Sequence, residues 1–242
     1  MPRARSANSS KTSVSTTALL AAALAVAAFP VAAQDWPAPG TVLTYVETSW
    51  APAGDRGLDR REGTLTFHSP ALGYDVVITE CWEGQLCTLL ALPNPLASGI
   101  SVDLPDGPVA ETAIAGTLGG PEATWVKITD GDPGFLPLTD GRESAWVESW
   151  TRDGATQAYQ MSSRTTCCAT GDAAGAAAGE IWIADHFWAS TGEQEIGMAG
   201  LHRIWFDRSL GWAITVDRMS WIGNGLMPRH IGRVDLIDVT LP

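Results

Sequence analysis

The sequence predicts an all-β fold, either an antiparallel sandwich or a strongly curved, partly closed barrel-like sheet with long Pro/Gly-rich loops. Three observations carry this. Segments rich in Val, Ile, Thr and Trp alternate apolar and polar residues with a period of two. Turn residues interrupt them at short intervals. No segment sustains a helical period, and glycine weakens the most helix-like stretch, the Ala-rich residues 172–179. A sheet of many antiparallel strands removes its edges by closing on itself or by packing in two layers.

The chain opens on a positive segment (Arg3, Arg5, Lys11) and an apolar run from Thr17 to Phe29, followed by the small residues Val31 and Ala33. This order predicts a Sec-type signal peptide cleaved after Ala33, and a periplasmic or secreted protein. The run spans 13 residues, short of the roughly 20 that a spanning helix needs. No cysteine follows Ala33 to take a lipid, and Arg3 and Arg5 are not adjacent as in a twin-arginine signal. The expected organisation is a leader, residues 1–33, and a single exported β-rich domain, residues 34–242, with a Pro/Gly-rich middle from 93 to 141. No integral membrane segment is expected after cleavage. Folding after export also makes a cytoplasmically inserted cofactor unexpected.

Strand signals then follow in order. Thr41–Trp50 is rich in Thr, Val and Tyr. Leu65 and Phe67 alternate with Thr64, Thr66 and His68. The runs Tyr74–Trp82 and Leu86–Leu92 flank a Glu-Gly-Gln turn. Short strands fit residues 99–104 and 123–129 within the Pro/Gly-rich middle. Ser144–Thr165 reads as a hairpin turning at Asp153-Gly154, which sets Arg152 opposite Ala155 and Trp150 opposite Gln157. Ile181 and Ile183 alternate with Trp182 and Ala184. Leu201–Ile222 is another hairpin, with Asp207 and Gly211 at its turn. Arg233–Leu241 closes the set.

The predicted leader takes three of the 15 basic residues and none of the 27 acidic ones, leaving residues 34–242 with a net charge of −15 and one lysine, Lys127. Such a chain repels nucleic-acid phosphates and anionic lipid headgroups, so no nucleic-acid partner is expected. It suits cationic or neutral partners. All 11 tryptophans fall after the leader. Each carries a large apolar body and one N–H that wants a partner. They build a thick core or line a groove. The candidate ligand-binding residues are Trp182, Trp188, Trp205 and Trp212.

Four cysteines in an exported chain point to disulfides, and three pairings exist. If the segment from Cys81 to Cys87 is a hairpin centred on Gly84, the two cysteines oppose each other with Cα atoms about 4.5–5.5 Å apart, inside the range a disulfide accepts. Cys167 and Cys168 would then form a vicinal bond. The alternatives tie each early cysteine to one of the later pair, or leave Cys167 and Cys168 as thiols for redox or metal chemistry.

Catalytic motifs are scarce. No nucleophile elbow occurs, and His68, His186, His202 and His230 show no metal-ligand spacing. With Cys167 and Cys168, His186 and His202 are the residues that a metal would need brought together. Glu80 with Glu83 and Glu143 with Glu148 are acidic pairs of the type glycosidases use. Residues 130–134 with Asp140 resemble a calcium loop only loosely, because Gly134 and Phe135 stand where an oxygen ligand and the glycine belong. The loop 223–233 concentrates Arg229, His230 and Arg233.

The reading is an exported non-enzymatic β protein, without cofactor, that binds a small apolar or aromatic ligand or an envelope partner protein. The alternatives are a secreted hydrolase acting on glycans through an acidic pair, and an envelope structural or assembly factor. A leader followed by many antiparallel strands is similar to periplasmic carriers with an open barrel, a likeness of fold that brings no site with it.

Overall fold

The computed structural model describes residues 36–51, 58–92, 99–133, 138–152, 154–168, 180–191, 198–223 and 228–242. They form strands β1 (Val42–Trp50), β2 (Asp59–His68), β3 (Val76–Trp82), β4 (Cys87–Leu92), β5 (Ile100–Leu104), β6 (Thr124–Gly131), β7 (Glu143–Arg152), β8 (Ala155–Cys167), β9 (Ile181–Ser190), β10 (Met198–Asp207), β11 (Trp212–Ile222) and β12 (His230–Thr240). Each strand runs antiparallel to its sequence neighbours, and β12 pairs with β1. One sheet therefore wraps into a closed barrel of twelve strands rather than splitting into a sandwich. The leader and the Ala-rich stretch 172–179 lie outside the described residues. Among the described residues, no helix is long and apolar enough to cross a membrane.

The local turn signals set the register. Arg152 pairs with Ala155 and Trp150 with Gln157, as a turn at 153–154 requires. The Asp207 carboxylate accepts hydrogen bonds from the Ser209 N–H (2.7 Å), the Ser209 hydroxyl (2.6 Å) and the Leu210 N–H (3.2 Å), and so closes the turn between β10 and β11. The ring has one weak joint. β5 and β6 share two residue pairs, Ile100 with Trp125 and Ser101 with Thr124, where β7 and β8 share ten. One further backbone bond, from the Val126 N–H to the Gly99 carbonyl, crosses that joint at 2.8 Å.

Alternate residues face the lumen and the exterior. On the exterior of β7–β12, register neighbours run Glu143, Arg164, Asp185, Arg203, Asp217, Arg233, a ladder of alternating charge across six strands. Arg203 binds Asp185 at 2.6 and 3.0 Å, and Arg233 reaches Asp217 at 3.4 Å. A membrane-spanning barrel carries an apolar band in this place. Here these six strands carry a row of charged residues across it.

The Pro/Gly-rich middle also holds a feature that the sequence reading lacks. A 3-10 turn, Glu111–Ala113, leads into a short helix, α1 (Ile114–Leu118). Ile114 and Leu118, four apart on one face, bury against Leu89, Ala91, Val102 and Leu104 on the outer side of β4 and β5. Five residues are too few to show a helical period.

One end of the lumen is filled. Trp212 packs edge-on against Phe67 (5.0 Å between centroids) and Trp36 (6.1 Å), beside Leu43, Tyr45, Ile78 and Val234. Trp182, Ile204 and Phe206 continue the packing on β9 and β10. Large indoles fit here because a strand neighbour yields space. A Cβ on Gly63 would sit 2.3 Å from the Trp82 ring, and one on Gly200 would sit 2.3 Å from the Trp188 ring. Each indole lies across a glycine on the adjacent strand, filling the place of its missing side chain.

Replacing Gly63 by Ala should therefore displace Trp82 and cost about 1–3 kcal/mol. Urea unfolding with a blue-to-red shift of tryptophan emission as readout checks this; an unchanged midpoint would contradict the packing.

Candidate functional site

The lumen is not filled throughout. Two adjoining cavities of about 530 and 230 Å³ share Glu80, Leu90, Leu92 and His202. The larger is walled by Leu90, Leu92, Val126, Met161, Trp150 and Trp188, with polar groups from Glu80, Glu148, His186 and His202. Its size falls within the range of small-molecule sites, which are mostly apolar with a few placed polar groups. It lies beside the β5–β6 joint, since Gly99, Ile100, Ser101 and Val126 all line it.

One arrangement of glutamate and tryptophan recurs, twice in the lumen and once at the exposed Glu180. A glutamate two residues from a tryptophan on the same strand shares its face and takes its indole N–H. Glu80 accepts from Trp82 at 2.5 Å and Glu180 from Trp182 at 2.9 Å. Glu148, 2% exposed, accepts from both Trp146 (2.8 Å) and Trp150 (3.0 Å). A second cluster centres on Glu47, 1% exposed, which takes the Arg61 Nε at 2.6 Å and has Arg218 at 3.9 Å and His230 at 3.7 Å.

His186 and His202 are register partners on β9 and β10, stacked with centroids 6.1 Å apart. Trp146 covers His186 from the other side at 5.5 Å. Burial pushes His186 down to about 4. Burial, with help from the Arg218 and His186 charges, pushes His202 down to about 3. Both rings are therefore neutral near pH 7. The His186 Nδ1 and the hydroxyls of Ser163 and Thr165 are buried without a hydrogen-bond partner, and Ser163 is the register partner of His186 on β8.

The tryptophans singled out in the sequence separate. Trp188 lines the larger cavity and Trp212 the smaller. Trp182 is buried in the filled end. Trp205 falls on the opposite face from Ile204 and Phe206, with the Arg233 guanidinium 5.7 Å from its ring, so it does not reach the lumen. The sequence reading omits Trp150, Tyr159 and Met161, which do line it. The spacing Trp146-x-Glu148-x-Trp150 was the available signal.

The cysteines resolve in part. Cys81 and Cys87 form a disulfide with Cα atoms 4.2 Å apart, so the pairings that tie Cys81 or Cys87 to the later pair fall away. Glu80 pairs with Thr88, so the hairpin is centred on Gly84 as the spacing predicts, and the Gln85 N–H bonds the Trp82 carbonyl at 3.1 Å within its loop. Cys167 and Cys168 sit sulfur to sulfur, each 3.5 Å from the Glu180 Oε1. These three are the one group of potential metal-ligand residues gathered within 4.8 Å among the described residues. Glu180 also holds Trp182 and Arg208 (3.3 Å). His186 does not join them. It stands four residues along β9 from Trp182, the partner of Cys167, or roughly 13 Å at strand rise.

The acidic pairs do not form. Glu143 points outward toward Arg164 and Glu148 into the lumen, because five residues along a strand reverse the face. This removes the geometric basis for a hydrolase built on that pair. Glu80 serves Trp82, while Glu83 accepts the Glu62 N–H at 3.0 Å. The loose calcium-loop likeness also dissolves. Asp132 pairs with Arg142, and the Asp140 carboxylate accepts the Cys167 N–H at 2.9 Å. Gly134 lies outside the described residues. In the loop 223–233, His230 turns to Glu47 and Arg233 to Asp217 and Asp235, while Arg229 is exposed.

No protein-family model matches the chain, and no curated protein matches it in sequence. Two solved structures are similar to it. One is the hypothetical lipoprotein YmcC from Escherichia coli, with 13% identity over 82% of this chain and 85% of that one, at a TM-score of 0.41. The other is a LolA superfamily protein from Nitrosomonas europaea, with 11% identity over 87% and 90%, at a TM-score of 0.34.

Because the buried histidines are held neutral, unfolding takes up protons below the ordinary histidine value of 6.5. Their contribution to stability is full above that pH and is lost as pH falls toward about 4. Each histidine adds a slope of up to about 1.4 kcal/mol per pH unit. His186→Gln, which cannot take the proton, should narrow the gap in urea-unfolding stability between pH 7 and pH 5. An equal gap in both proteins would contradict the burial.

Proposed function

We propose that this chain is an exported, non-enzymatic binding protein whose barrel lumen holds an apolar molecule. The observation that carries the reading is the pair of adjoining cavities walled by Leu90, Leu92, Val126, Met161 and Trp188. Twelve strands enclose more space than their inward side chains fill, and the remaining space is lined for an apolar guest. Export is supported by the leader sequence of residues 1–33 and by the Cys81–Cys87 disulfide, which belongs to an oxidising compartment. The histidines fit the same role, because neutral imidazoles do not charge the cavity at pH 7.

Titration of the purified protein with an uncharged long-chain alcohol such as dodecanol tests this. Entry beside Trp150 and Trp188 should change tryptophan emission saturably. Leu92→Trp, which fills the part common to both cavities, should weaken the response by on the order of tenfold while leaving the fold intact by circular dichroism. A signal that does not saturate, or that Leu92→Trp leaves unchanged, would overturn the reading.

A further inference from the structure

The larger cavity has an electrostatic character that an apolar lining alone does not explain. Two carboxylates line it, Glu80 and Glu148, and no lysine or arginine does so among the described residues. The guanidinium closest in register is Arg218, the partner of His202 on β11. It faces the smaller cavity and has Glu47, one of the most buried side chains of the molecule, at 3.9 Å. The two histidines on the wall carry no charge near neutral pH. Carboxylates are therefore the acidic or basic groups, besides the two histidines, that line this cavity among the described residues.

Three aromatic rings line this cavity together with Glu148. Trp150 and Tyr159 meet edge to face with centroids 5.5 Å apart, and Tyr159 and Trp188 do the same at 5.9 Å. Successive planes are inclined at 62° and 79°, so the rings form walls of a box rather than a stack. Their positions are fixed. Trp188 is laid over Gly200, and the Trp150 indole N–H is held by the Glu148 Oε2. The Glu148 Oε1 accepts the Trp146 indole N–H at 2.8 Å and its Oε2 accepts that of Trp150 at 3.0 Å. A box of aromatic faces closed by a carboxylate is the chemistry that recognises organic ammonium groups.

We infer that the lumen takes a cationic amphiphile, with its ammonium or quaternary ammonium group in the Trp150–Tyr159–Trp188 box beside Glu148 and its apolar body between Leu90, Leu92 and Val126. This rests on the reading of the lumen as an apolar binding site and adds the charge and class of the ligand. The net charge of −15 over residues 34–242 acts in the same direction, drawing cations toward the barrel and repelling anionic amphiphiles.

The test uses three probes with one chain length: dodecyltrimethylammonium, dodecanol and dodecanoate, each below its aggregation limit, titrated by calorimetry and tryptophan emission. The cation is expected to bind about tenfold or more tighter than the alcohol, and the carboxylate weaker than both. Glu148→Gln should erase most of the cation's advantage. Because that change touches two indole hydrogen bonds, Tyr159→Leu serves as the second variant and should weaken the cation several-fold while leaving dodecanol affinity within about twofold. Equal binding of all three probes, or tightest binding of dodecanoate, would overturn the ammonium site and leave the apolar binding site standing. Failure of all three to bind would overturn both. Cation preference that survives both substitutions would show attraction by net charge alone, and would overturn the box.

Discussion

Closing twelve strands into one ring fixes a circumference, and the circumference fixes a volume. Eight strands give a lumen that their own side chains fill; twelve do not. Much else in this molecule answers that surplus. Tryptophan is the largest filler available, and the filled end uses Trp36, Trp182 and Trp212 with Phe67 and Phe206. Where two indoles must lie flat, glycines on the neighbouring strands make room. Where packing stops, the cavity begins.

Filling a lumen with indoles brings N–H groups that need acceptors, and this draws acids inside. Glu80 and Glu148 each stand two residues from a ring they serve. Isolated charges inside a barrel are costly, and hydrogen bonding to the charged form offsets part of that cost. The aromatic content and the carboxylates of the lumen are thus one solution, not two. The outer face solves a separate problem with its ladder of alternating charge, which keeps a strongly acidic chain internally paired across six strands.

What could be read from the sequence was local. Asp207 with its turn, the Trp150–Gln157 pairing and the Cys81–Cys87 staple each depend on residues within a few positions of one another. The split of Glu143 from Glu148 was also readable, since an odd separation along a strand sets two side chains on opposite faces. Other features were out of reach. The Tyr45 hydroxyl bonds the Ala213 carbonyl 168 residues away, and Glu47 meets Arg218 and His230, only because β1 closes on β12. No period or spacing announces such a contact. Likewise α1 exists because β4 and β5 offer an apolar outer face for Ile114 and Leu118.

The joint between β5 and β6 gives the ring a place to come apart. Local opening takes least free energy where fewest bonds must be broken. Here that means two residue pairs and one backbone bond, against ten pairs in the strongest hairpin. Parting them turns a ring into a curved ribbon, leaving the Cys81–Cys87 clasp and the charge ladder untouched. The same act unroofs the larger cavity along its length, because Gly99, Ile100, Ser101 and Val126 form its rim. A guest with a long chain then needs no threading through an end of the barrel.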